Sequence, residues 1–175
     1  MERVFVILKK IHKYLVTTKR IYYAFMIKIE SKKVGNGLRV NGYSKVSRST
    51  ILGNNVNFNG MRIQGKGRVI IGDNFHSGPE CLMITQVHNY DSGQAIPYDS
   101  TYFARDIAIE DNVWVGSRVI ILGGVSLGEG AIIQAGSTVV SNIPKFAIAG
   151  GHPAKVFKYR DIDHYLALKK EGKFH

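Results

Sequence analysis

The chemistry open to this chain rests on few side chains: His76, His88 and His152, the single Cys81, the single Trp114, and Lys155 and Lys158. An imidazole with a reference pKa of about 6.5 takes up and returns a proton at neutral pH, which is general acid–base work. Three clustered histidines would instead suit zinc. These three lack the short paired spacing expected of such a centre, so no metal is expected. A thiol could carry a covalent intermediate if exposed; buried, it is a small hydrophobe. Lysines suit phosphate groups. Asn57 in "NVNFNG", with Tyr90, Asp91 and Tyr98 further on, adds hydrogen-bonding groups of the kind that polar turns and loop tips also carry.

Which of these groups can meet depends on a six-residue period. From Ile109 every sixth residue is a branched aliphatic: Ile109, Val115, Ile121, Leu127, Ile133, Val139. The fifth position of each hexad is mostly small or branched: Val113, Val119, Val125, Ala131, Ser137, Ile143. Upstream, Val40, Val46, Leu52 and Phe58 hold first positions. After a one-residue slip around Gly65 and Gly67, Ile71, Ser77 and Met83 continue, with Phe75, Cys81 and Val87 at the fifth. Such a period predicts a hexapeptide β-helix, a solenoid in which three hexads close one coil.

A fifth residue and the next first residue are two apart, so they share a strand face, and that face points inward. Sixth positions point outward, and Asn57, His88 and Trp114 all occupy them. Cys81 belongs inside, which disfavours a covalent route. Ser117, Ala135 and Pro153 are spaced one coil apart and are expected to stack as a ladder. Six-fold order lapses from Asn89 to Ala108. A long loop inside a regular solenoid is usually functional, and His88 stands at its start.

The 175 residues suffice for one domain with a sizeable core, and 45% hydrophobic residues exclude a disordered chain. A lone cysteine permits no internal disulfide and fits a reducing compartment. No cleavable leader is expected, and no apolar run reaches the ~18 residues of a membrane span. A cytoplasmic location is the expectation. The formal net charge of +11 favours anionic partners. Nucleic acid is not expected among them, because the basic residues are not interleaved with aromatics in a known module.

Residues 3 to about 29 set Val4, Ile7, Leu8, Ile11, Tyr14 and Leu15 at helical spacing among lysines, a basic amphipathic helix. It is expected to pack on the prism end as a cap, with contact to an anionic membrane surface as the alternative. Asp161 to Lys170 reads as a short closing helix. The expected division is a helical cap over 1–33, a β-helix over 34–158 with a loop inserted at 89–108, and a helical tail over 159–175.

The hexads resemble those of the hexapeptide-repeat acyltransferases, whose fold is a left-handed parallel β-helix. The resemblance runs most closely from Ile71 to Arg160. It is carried by Ile107-Ala-Ile-Glu-Asp-Asn-Val-Trp-Val-Gly116 and by "AGGHPAKVFKYR" from Ala149 to Arg160. It implies an acetyl-CoA-dependent sugar O-acetyltransferase, similar to galactoside and maltose acetyltransferases and to those of polysaccharide biosynthesis. It further implies a homotrimer with active sites between subunits and no metal.

"ITQVHNYD" resembles the family's catalytic segment, which makes His88 the general base. By the same resemblance Trp114 lines the intersubunit groove, and backbone groups of Ser117 and Ala135 follow the pantetheine arm. Lys155 and Lys158 match basic positions that take the phosphates of coenzyme A. The family often has Thr-Lys where this chain has Val140-Ser141, so one such contact is missing. Asn57 resembles an asparagine that binds the acceptor, with Tyr90 and Asp91 as further candidate contacts; Asp91 could instead orient the imidazole. Three alternatives stay open: N-acetylation of a nucleotide-linked amino sugar, a carbonic-anhydrase-like metal centre using His76, His88 and His152, and a non-enzymatic scaffold.

Overall fold

Inward-facing residues of the hexads close the chain into a three-walled coil of parallel strands. The computed structural model describes residues 1–175, except the side chains of residues 2 and 3. The first wall stacks Lys33–Val34, Thr50–Leu52, Val69–Ile71, Ile107–Ile109 and Ser126–Leu127. The second stacks Arg39–Val40, Asn57–Phe58, His76–Ser77, Trp114–Val115, Ile132–Ile133 and Ala147–Gly150. It ends on Lys155–Tyr159, which runs antiparallel. The third stacks Met61–Gln64, Cys81–Ile84, Ile120–Leu122 and Thr138–Val139.

The expected inward positions form the core. Ile71, Val115, Val119, Ile121, Leu127, Ala131, Ile133 and Val139 are each at most 1% exposed. Coils approach closely at the corners. A Cβ on Gly116 would lie 2.5 Å from the backbone nitrogen of Ala135, so only glycine fits between those turns.

The hexad register departs from expectation in three places. Val87, assigned to the interior, is 41% exposed. The chain leaves the coil after buried Thr85, and Gln86–His88 pairs antiparallel with Tyr102–Ala104 as the arms of a hairpin. Strand alternation replaces the six-fold rule there. The hairpin returns to its root, where Arg105 N–H donates to Thr85 O at 2.8 Å, and Ile107 then stacks on Val69. The segment expected as a loop is thus partly ordered sheet.

Second, the last coil is two residues short. Ile143 pairs with Leu127 and Ala149 with Ile133. Ile143 therefore serves as a first-position residue rather than a fifth. Third, Pro153 does not form the third rung of the ladder; Gly150 lies against Gln134, so the rung below Ala135 comes earlier in the chain.

Helix α1 (Glu2–Glu30) meets the prism only at its last turns. Ile27 is fully buried, Tyr23 and Ala24 pack on the core, and Glu30 Oε2 accepts from Val46 N at 3.3 Å. Cap contact is confined to this end; every described residue from 4 to 15 is exposed. Helix α2 (Ile162–Lys170) begins where Asp161 Oδ1 accepts from His164 N at 3.0 Å, the side-chain cap that satisfies an otherwise unpaired N–H.

Candidate active site

One outward-facing row crosses the second wall. Register pairs Asn57 with His76, His76 with Trp114, Trp114 with Ile132, Ile132 with Ile148, and Ile148 with Lys158. At ~4.8 Å per strand the row from Asn57 to Lys158 spans about 24 Å. Three expected site residues, Asn57, Trp114 and Lys158, thus belong to one surface line. Trp114 is half exposed in this single chain, a large aromatic on an outer wall. Asn57 Oδ1 accepts from Asn41 Nδ2 at 3.0 Å.

His76 lies between Asn57 and Trp114, and in the sequence it stands out only as a possible metal ligand. Asn59 Nδ2 lies 3.1 Å from its Nε2. Burial, and then the neighbouring His175, push the His76 imidazole below its ordinary pKa. Its partner in the row was readable only from coil pairing, because the coil from Phe58 to Ser77 carries the extra residue.

A ladder of asparagines borders the row. Asn55, Asn74 and Asn112 each adopt positive φ, a conformation asparagine tolerates better than most side chains. Asn55 Nδ2 donates to Asn74 Oδ1 at 3.0 Å, and Asn74 Nδ2 to Asn112 Oδ1 at 2.8 Å. Asn112 Nδ2 donates to the Tyr165 hydroxyl at 2.8 Å, and that hydroxyl donates to Glu129 at 3.0 Å. Helix α2 and the residues after it are thereby held over the second wall. They border a half-open pocket of about 440 Å³ whose lining includes Asn57, His76, Trp114, Arg160 and His175.

Burial raises the Tyr165 phenol to about 12, with Glu129 adding to the rise. Burial alone would raise the Glu129 carboxyl too, but hydrogen bonds from Lys169 and Tyr165 outweigh it and hold the group below its usual range.

His88 stands outside the prism, on the hairpin. Its ring stacks on Tyr98, centroids 3.7 Å apart, and tilts against Tyr102 at 4.3 Å. Asp99 braces the turn beside Tyr98, accepting from Thr101 N at 2.8 Å and from Gln94 N at 2.9 Å. The Nδ1 of His88 is buried without a hydrogen-bond partner among the described residues. Asp91 and Tyr90 are exposed beyond the ring. In the sequence Tyr98 reads only as a hydrogen-bonding loop residue, and Tyr102 and Asp99 carry no motif of their own. The cluster of tyrosines around a loop histidine was the available signal.

Ser117 and Ala135 stack at the corner between the second and third walls, where Gly136 N–H donates to Ser117 O at 2.8 Å. Lys155 and Lys158 are exposed on the antiparallel closing strand. Cys81 is buried, its thiol donating to Gly116 O at 3.1 Å, and burial raises its pKa. His76 lies on the second wall, His88 on the hairpin, and His152 beside Thr138 at 2.8 Å. Among the described residues no three metal-binding side chains gather.

The hairpin leaves the corner between the third and first walls, whereas Trp114, Ser117 and Ala135 belong to the second wall and its far corner. One prism therefore holds the imidazole and the Trp114 row on different edges.

Residues 106–141 match the family described as bacterial transferase hexapeptide (six repeats). The chain is 32% identical over 120 residues to a chloramphenicol acetyltransferase of Morganella morganii, covering 59% of this chain and 57% of that protein. It is 33% identical over 113 residues to the galactoside O-acetyltransferase of Escherichia coli K12, covering 63% and 54%. The chain spans about half the length of the curated relatives it matches. A solved galactoside acetyltransferase in complex with coenzyme A superposes with a TM-score of 0.69 at 30% identity, covering 79% of this chain and 70% of that one. With its six-residue period closed into a parallel coil and this extent of likeness, the chain belongs to the hexapeptide-repeat acetyltransferase family.

Proposed function

We propose that this protein transfers an acetyl group from acetyl-CoA to a hydroxyl of a sugar, in a cleft between neighbouring copies of a homotrimer. The observation that carries the reading is the position of His88: outside the prism, clamped by Tyr98 and Tyr102, and on a different edge from the Trp114 row. A second copy is needed to bring an imidazole of one prism to such a row on another. The relatives named galactoside O-acetyltransferase and chloramphenicol acetyltransferase favour a hydroxyl as acceptor.

Acetyl-CoA, a co-substrate here, supplies an activated thioester. The chain's own residues do the rest. A sugar hydroxyl is a poor nucleophile at neutral pH, so its proton must leave as the new C–O bond forms. His88 accepts that proton and hands it to the sulfur that departs. Trp114 lines the groove, backbone groups of Ser117 and Ala135 follow the pantetheine, and Lys155 and Lys158 face the phosphates. Asn57, with Tyr90 and Asp91, contacts the acceptor. Backbone N–H groups beside the groove steady the oxyanion. Cys81 takes no part. The reading assigns the enzyme to the cytoplasm, where acetyl-CoA is made, and to polysaccharide or glycan synthesis.

The test is thiol release from acetyl-CoA in the presence of a panel of sugars and nucleotide sugars, followed by mass spectrometry of the product. A product whose added acetyl is lost in mild base is an ester, as proposed. A base-stable product is an amide and moves the reaction to an amino sugar. No acetylated product with any acceptor would sink the reading.

A further inference from the structure

Helix α1 has two faces, and the prism holds the less apolar one. Ile27, Tyr23 and Ala24 seat the helix on the coil. The long apolar stripe lies elsewhere: Ile7, Leu8, Ile11, Leu15, Tyr22 and Phe25 are each at least 50% exposed. At about 100° per residue the centre of this stripe is roughly 150° around the helix from Ile27. A helix that served only to cap the prism would turn such a stripe inward.

The charges follow the same division. Lys9, Lys13 and Arg20 lie on the side of Ile27, while Lys10, Lys19 and Lys28 flank the stripe. No Asp or Glu occurs between residues 4 and 29. Copies of this helix packed stripe to stripe would crowd lysines together with no acidic partner, which disfavours a second copy as the occupant. No helix among the described residues is long and apolar enough to cross a membrane.

We infer that α1 is a docking surface for an anionic lipid bilayer, lying in its interface with the Ile7–Phe25 stripe buried among the acyl chains. The flanking lysines then reach the lipid phosphates along the bilayer plane, as their long apolar stems allow. The prism, held by the opposite face near Ile27, stands clear of the lipid on the solvent side. Some 29 residues at 1.5 Å each give a helix about 43 Å long, most of it projecting beyond the coil.

The test is co-sedimentation of the full chain with vesicles of phosphatidylcholine alone or of a two-to-one mixture with phosphatidylglycerol. At low salt the bound-to-free ratio is expected to be at least ~10-fold higher on the mixed vesicles, and to fall as salt shortens the reach of the charges. The double variant Ile11→Glu, Leu15→Glu should remain in the supernatant while keeping its thermal midpoint, oligomeric mass and acetyl-transfer rate on a soluble acceptor. Wild-type protein that stays in the supernatant with mixed vesicles would overturn the inference, as would a double variant that sediments like wild type. A smaller oligomeric mass for the double variant, without vesicle binding by the wild type, would reassign the stripe to a second copy. The inference does not rest on the proposed reaction: vesicle binding without acetyl transfer would leave it standing.

Discussion

The rings of His88 and Tyr98 stack 3.7 Å apart with 25° between their planes, which fixes an imidazole on a hairpin that leaves the coil. Replacing His88 with Ala is expected to lower kcat by about 10² to 10⁴ with an unchanged thermal midpoint and oligomeric mass. Tyr98→Ala removes the clamp but leaves the proposed base and should lower kcat by only about tenfold. Steady-state thiol release checks both. Full turnover by the His88 variant would remove it from the chemistry.

Trp114 is half exposed in the single chain and lies one strand from His76 in the row that reaches Lys158. Trp114→Ala should raise KM for acetyl-CoA about tenfold, equivalent to ~1.4 kcal/mol of binding, with kcat little altered. Dissociation of the oligomer at constant KM would instead make Trp114 a packing residue of the interface.

The Cys81 thiol is 2% exposed and already bonded within the coil. Cys81→Ala should therefore retain turnover and lose about 1 kcal/mol of stability. Alkylating reagents should leave native activity intact. An acetylated Cys81 peptide trapped during turnover would contradict direct transfer.

Glu129 accepts hydrogen bonds from both Tyr165 and Lys169 and so ties α2 to the coil. Its carboxyl is held below the ordinary range in the folded protein. The stabilisation is present above the unfolded value of about 4.3 and is lost as pH falls through the folded one. Glu129→Gln is expected to cost about 1–2 kcal/mol at pH near 7 and almost nothing once both states are protonated. Thermal midpoints of the two proteins should converge in acid; a constant difference would mean that another group holds the helix.

Much of the coil was legible because one side-chain property recurs at one spacing. Burial of Ile71, Val115 and Leu127 follows directly from the period, and so does the inward place of Cys81. Legibility failed where backbone pairing changed type. Val87 fits the hexad rule on paper, yet antiparallel pairing with Phe103 carries it out of the prism. Pro153 sits one nominal coil from Ala135, yet a shortened turn before Ile143 moves the rung.

The sequence by itself determined the repeat, the walls and most of the side chains that leave them, because inward and outward positions alternate along the parallel strands of the coil. Tertiary structure alone decided which outward residues become neighbours. Asn57, His76, Trp114 and Lys158 are far apart along the chain and are brought into one row by stacking of coils whose lengths are unequal. It also decided which face of α1 the prism holds, since both faces carry apolar side chains and only the seat of Ile27 on the coil chooses between them.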